Sequence, residues 1–135
     1  MRVVIDANVA FSGAGWRGPS HLCLVALARR RFLAFGTDET VEELRDLIRT
    51  RGFKARHDPH TVATWYLHRV KLVEPAPLGK QRSRDLKDDP YLACALGAEA
   101  KIILTQDRDL LDLGKPFGIE IIPPLELLLR LAGRR

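Results

Sequence analysis

Apolar positions in this chain fall into two spacings, and the changes between them mark out the elements. Short runs rich in Val, Ile, Leu or Phe at 2–6, 32–35, 72–74, 101–105 and 118–122 read as strands, each bounded by polar or turn-forming residues. Between them the spacing widens to the helical period. Residues 19–30 carry Leu22, Leu24, Val25, Leu27 and Ala28 behind Pro19, a helix-starting residue. Thr37 or Asp38 caps a helix whose stripe is Val41, Leu44, Leu47 and Ile48, and residues 57–72 form another that packs through Val62, Trp65, Tyr66 and Val70. Residues 75–87, with two prolines, Gly79 and five charges, are a loop, after which Asp88-Asp89-Pro90 opens a helix over 91–99. Pro123-Pro124 starts a last helix bearing Leu125, Leu127, Leu128, Leu129 and Leu131.

Five short strands separated by helices predict a parallel sheet with its crossovers laid against both faces. The expected fold class is α/β, a three-layer α/β/α sandwich around a five-stranded, mainly parallel, Rossmann-like sheet. A length of 135 residues suits a single domain, 1–135. No apolar run approaches the roughly 20 residues of a membrane span, and Met1-Arg2 leads into a strand rather than a signal core, so a cytoplasmic protein without a membrane anchor is expected. Cys23 and Cys94 then read as small core residues. The net charge of +5 permits an anionic partner. Its distribution says more: Arg29-Arg30-Arg31, then Arg49, Arg51, Lys54 and Arg56, then Lys80, Arg82 and Arg84 cluster near element ends.

In a parallel sheet every strand's carboxyl end faces one edge, and ligands bind there where the strand order reverses. That edge is predicted to be acidic. Asp6 ends the first strand; Glu42 and Glu43 lie early in the helix after the second; Asp88 and Asp89 begin the helix before the fourth; Asp107 and Asp109 follow the fourth in LTQDRD. Helix N-termini offset the repulsion by a few tenths to about 1 kcal/mol per carboxylate. Two unit charges about 4 Å apart repel by about 4 kcal/mol at an effective dielectric of 20, so the acids must share protons or bind a cation. All-oxygen ligation selects a hard ion, Mg²⁺ or Mn²⁺ rather than Zn²⁺.

These residues also form a familiar pattern. VIDANVAFSG resembles the LDTNVLVSA-type opening of PIN-domain proteins, TVEELRDLI their acid-bearing helix, and RDLKDDPYLACALGAEAKIILTQDRDLLDL their second acidic segment, with the likeness running on to IPPLELL. Within that family it resembles the VapC-like toxin components of prokaryotic toxin–antitoxin modules. The resemblance implies a Mg²⁺- or Mn²⁺-dependent ribonuclease with an acidic quartet, forming a homodimer and inhibited by a cognate antitoxin protein. Carried over by position, the catalytic and metal-binding quartet is Asp6, Glu43, Asp89 and Asp107. Neighbours on a helix point about 100° apart, so Glu43 is preferred to Glu42, and counting back from Asp107 favours Asp89 over Asp88. Ala7 stands where the family often has Thr. Asn8 reads as orienting Asp6 or a water, Thr105 as a strand-end residue with a second-tier place at the site, and Asp109 as a further second-tier acid. The implied chemistry is metal-assisted phosphodiester hydrolysis of single-stranded or looped RNA. Arg49, Arg51, Lys54 and Arg56 are the candidate RNA-backbone contacts.

Each acid also has a plain structural reading: Asp6 as a turn former, Asp107 and Asp109 as caps, Glu42 as a surface partner of Arg45 or Arg49. His57 and His60 lack the further soft ligands a zinc site needs. Trp16, Trp65 and Tyr66 read as packing residues. GAGWRG at 13–18 matches G-x-G-x-x-G, with Asp38 about 20 residues on. It starts too far beyond the strand, however, and Asp6 would oppose a pyrophosphate. A receiver-type domain would want paired acids after the first strand and a lone Asp after the third, where this chain has DAN and LVEP. A catalytically silent PIN-like RNA-binding protein keeps the fold and drops the chemistry.

Overall fold

The structure, a computed structural model, describes residues 1–51, 59–79 and 89–133. Lys54, Arg56, His57, Lys80, Arg82, Arg84 and Asp88 lie outside the described residues, as do the side chains of His60 and Val62. Along the chain, β1 (Arg2–Ile5) leads to α1 (Ala7–Gly15) and α2 (Pro19–Ala28), then β2 (Leu33–Gly36), α3 (Asp38–Arg51), α4 (Pro59–Arg69) and β3 (Val70–Leu72). Then follow α5 (Asp89–Ala98), β4 (Ile102–Leu104), α6 (Arg108–Leu111), β5 (Glu120–Ile122) and α7 (Pro124–Ala132).

Among the described residues the strands form one five-stranded sheet in the order β3-β2-β1-β4-β5, and every pairing is parallel. Successive strand side chains point to opposite faces. Val3, Val4 and Ile5 of β1 are nonetheless all buried, as are all three residues of β4, so helices cover the sheet on both sides. The chain builds outward from β1 through β2 to β3, then returns to set β4 on the other flank of β1. The carboxyl ends of β1 and β4 therefore flank the point where the strand order reverses.

Two helices had no counterpart in the sequence pattern, α1 and the four-residue α6. α1 follows β1 directly, with Asp6 as its N-cap: the Asp6 carboxylate accepts the main-chain N–H of Asn8 at 3.2 Å. Ala7, Val9, Ala10, Phe11, Gly13 and Gly15 are all buried, so the helix is apolar nearly all round and shows no stripe to detect. Its glycines explain the GAGWRG stretch. A Cβ on Gly13 would stand 2.6 Å from the Ser20 carbonyl oxygen, so this glycine lets α1 press against α2. Gly18, with φ of 140°, makes the link into α2. The motif is a helix–helix corner, not a phosphate cradle.

Boundaries moved elsewhere for ordinary reasons. The helix expected to run to residue 72 stops at Arg69, and Val70 enters β3 opposite Ala34, so the third strand starts two residues earlier than its apolar pattern suggested. Val70 is buried in either state, and burial alone could not tell the two apart. In α2 the core side is Cys23, Leu24, Ala26 and Leu27, and Leu22 turns outward. Both cysteines are free thiols, and burial pushes each up to about 12. No helix among the described residues is long and apolar enough to cross a membrane.

Candidate active site

Asp6 sits one residue past β1, where its own N–H still bonds the Leu104 carbonyl of β4 at 2.9 Å. That register sets it beside Thr105, the residue after β4. The Thr105 hydroxyl donates to Asp6 Oδ2 at 2.7 Å and accepts the Asp107 N–H at 2.9 Å. Thr105 is 0% exposed and Asp6 only 3%. A single buried hydroxyl thus joins two acids that stand a hundred residues apart in the chain, give or take one. Asp107 in turn caps α6, its Oδ1 accepting the Asp109 N–H at 2.9 Å.

Burial drives the Asp6 carboxyl above its ordinary value; the bonds from Thr105 and the Asn8 N–H oppose that push, and the negative charge of Asp107 adds to it. Among the described residues its partners are hydroxyls and an N–H, with no cation. Asn8, expected to orient Asp6, does so through its main chain; its side chain is exposed along the neighbouring cleft.

Glu43 arrives from α3, which Thr37 and Thr40 start with a reciprocal cap. The Thr37 hydroxyl accepts the Thr40 N–H at 3.2 Å, and the Thr40 hydroxyl accepts the Thr37 N–H at 2.9 Å. Thr37, not Asp38, is therefore the cap. The helix turns Val41 and Leu44 to the core, with Leu47 and Ile48 partly buried against it. Glu42 and Glu43 then separate by environment. Glu42 is exposed and pairs with Arg45 at 3.4 Å, while half-buried Glu43 accepts the Tyr91 hydroxyl at 2.7 Å through Oε2. Tyr91, buried in the first turn of α5, also accepts the Ala7 N–H at 3.1 Å. Burial, then the charges of Asp6 and Glu43, hold its hydroxyl well above the usual phenol range.

Asp89 is half-buried in the first turn of α5, and the next residue, Pro90, lines a cleft of about 640 Å³ with Asn8, Glu43 and Asp107. Glu39, Glu42 and Asp46 face the same cleft, and Arg51 is the cation lining it among the described residues. Arg49 is not a lining residue; exposed on α3, it pairs with Asp46. Asp6 is not a lining residue; it lies buried, joined to the cleft acid Asp107 through Thr105.

The donor chemistry fits a hard dication: carboxylate oxygens throughout, one of them on a buried acid with no basic partner among the described residues. The acids surround the cleft without closing on one point, and among the described residues no three His, Cys, Asp or Glu side chains gather tightly enough to hold a metal. Sequence reasoning passed over Tyr91. Its signal was a tyrosine on the buried face of a helix otherwise lined by Leu, Cys and Ala, where the hydroxyl needs a partner. Thr105→Val keeps the shape but removes a donor to Asp6 and an acceptor for Asp107. Urea unfolding should show a loss of about 2 kcal/mol, and an unchanged midpoint would contradict the bridging role.

The sequence matches the PIN domain family model over residues 2–109. Among solved structures the fold is similar to the crystal structure of PAE2754 from Pyrobaculum aerophilum, with a TM-score of 0.68 and 22% identity over 99% of this chain and 91% of that one. At that identity the likeness carries the fold alone. No curated protein matches the sequence.

Proposed function

Because the chain belongs to the PIN domain family, whose members are generally nucleases, we propose that it is a Mg²⁺- or Mn²⁺-dependent endoribonuclease. The observation that carries this reading is the Thr105 bridge: it ties Asp6 to Asp107 where the strand order reverses, beside the cleft that Glu43 lines. Asp6, Glu43, Asp89 and Asp107 are the residues that would hold the ion. When bound, it supplies positive charge for a phosphate oxygen and for the departing oxygen, and makes water a stronger acid.

The chain's own residues do the rest. Thr105 and the Asn8 N–H fix both oxygens of Asp6, and Tyr91 holds one of Glu43. A carboxylate or solvent accepts the proton of the attacking water. The cleft also shapes substrate binding. Five carboxylates line it (Glu39, Glu42, Glu43, Asp46 and Asp107) against Arg51 among the described residues. An RNA backbone enters such a cleft only with added positive charge, so binding itself should need the dication. Arg51, eight residues after Glu43 on α3, stands about 12 Å along the helix axis from it. It would hold a phosphate away from the reacting one, with Arg49, Lys54 and Arg56 as further candidate backbone contacts.

The toxin role, the acidic cognate antitoxin, the homodimer, the single-domain organisation and the cytoplasmic location belong to the same proposal and rest on the sequence resemblance and the +5 charge. The test is cleavage of a single-stranded RNA by the purified chain. We expect products with Mg²⁺ or Mn²⁺ and none in excess EDTA; equal cleavage in EDTA would reject the mechanism. RNA retention without cleavage, indifferent to EDTA, would support the silent RNA-binding alternative.

A further inference from the structure

Tyr91 occupies a place that packing alone does not require. It is 1% exposed, and its hydroxyl stands where three elements meet: α5, which carries it; α3, through Glu43; and the β1–α1 junction, through Ala7. A phenol has one proton to give. The Ala7 N–H points into the hydroxyl oxygen, and the phenolic proton goes to Glu43 Oε2 at 2.7 Å, with the Asp6 carboxylate also close enough to interact with the hydroxyl. Ala7 follows Asp6 directly. One hydroxyl therefore references the carboxylate of α3 to the backbone that carries the buried acid of β1.

We propose that Tyr91 is a positioning residue that presets the Glu43 carboxylate for the divalent ion, an inference that rests on the metal-dependent reading above. A glutamate has three side-chain torsions to immobilise when it ligates. The bond from Tyr91 fixes one oxygen of Glu43, and with it the run of those torsions, before any ion arrives.

Tyr91→Phe separates this role from a packing role, because it keeps the ring and deletes the hydroxyl. Calorimetric titration with Mn²⁺ in the absence of RNA gives a readout independent of activity. Loss of a supporting bond to a metal ligand weakens affinity about 10–100-fold, and that loss is the expected result. In a Glu43→Gln background the same change should add little, since the effects act through one carboxylate. Wild-type affinity in Tyr91→Phe, or full additivity with Glu43→Gln, would overturn the inference and leave the nuclease reading standing. Absence of Mn²⁺ binding by the wild-type chain would remove both. If Tyr91→Phe does not fold, a Mn²⁺-soaked crystal of the wild-type chain decides. Glu43 on the ion with the Tyr91 hydroxyl still bonded to it supports the role; a ligand set without Glu43, or a Tyr91 turned away from it, ends it.

Discussion

Asp6→Asn should lower metal-dependent RNA cleavage by about 10²–10³-fold while the chain stays folded. The magnitude follows from losing part of a charge clamp worth several kcal/mol, at about 1.4 kcal/mol per tenfold. The fold should survive because asparagine is as good an N-cap as aspartate and fills the same space, so α1 keeps its start. The variant should also change how stability depends on pH. Burial raises the Asp6 carboxyl above its ordinary 3.8, so the folded chain holds that proton more tightly than the unfolded one. The resulting stability is fully present below the unfolded value and is lost as pH rises through the folded value. Asparagine has no such proton. Without divalent ions, the melting temperature of the variant minus that of the wild type should therefore rise from about pH 4 to about pH 8. Adding Mn²⁺ near neutrality should shrink the difference, because binding stabilises only the wild type appreciably. A difference that stays flat with pH would remove the burial account of Asp6, and cleavage retained in the variant would remove its catalytic assignment.

Gly97→Ala should destabilise the protein by about 3 kcal/mol or more, the upper end of what forced overpacking costs. Gly97 lies near the end of α5, where an exposed alanine would ordinarily help a helix by about 1 kcal/mol. Here the backbone forbids it. A Cβ would stand 2.0 Å from the Glu74 carbonyl oxygen and 3.1 Å from the Glu74 carbonyl carbon, neither of which can swing aside like a side-chain tip. The segment after β3 is bound to α5 by the Ala76 N–H on the Ala93 carbonyl at 3.0 Å. Relief means lifting that segment or displacing α5, which carries Asp89 and Tyr91 and packs on β1, β2 and β4. Against a total stability on the order of 5–15 kcal/mol, the loss should be plain in a urea titration. A Gly97→Ala protein as stable as the wild type would show that the close approach is not a constraint.

Several site features were legible because they depend on local order. Asp6 and Asp107 each follow a strand, and parallel strands end on one edge, so their neighbourhood follows from the element sequence alone. Glu43 could be preferred over Glu42 because the stripe of Val41 and Leu44 gives α3 an inner border, and the two acids do differ in burial. Other features left no such trace. α1 is buried nearly all round, with Asn8 its one fully exposed side chain, and so has no polar face wide enough to create a period. The choice between helix and strand at Val70 turned on pairing with Ala34, a residue of another element. Asn8 could be placed near Asp6, but the atom that reaches it is a main-chain N–H, which every residue except proline has.

What the sequence determined by itself was the order of elements, the parallel α/β class and the edge on which the acids lie, because hydrophobic period and strand polarity are properties of local chain segments. The tertiary structure decided which atoms connect those acids. Thr105 bridges Asp6 and Asp107, and Tyr91 spans Ala7 and Glu43, because β1 pairs with β4 and α5 packs against α3. Hydrogen-bond partners far apart in the chain are chosen by packing to within a fraction of an ångström, and no spacing along the sequence encodes that distance.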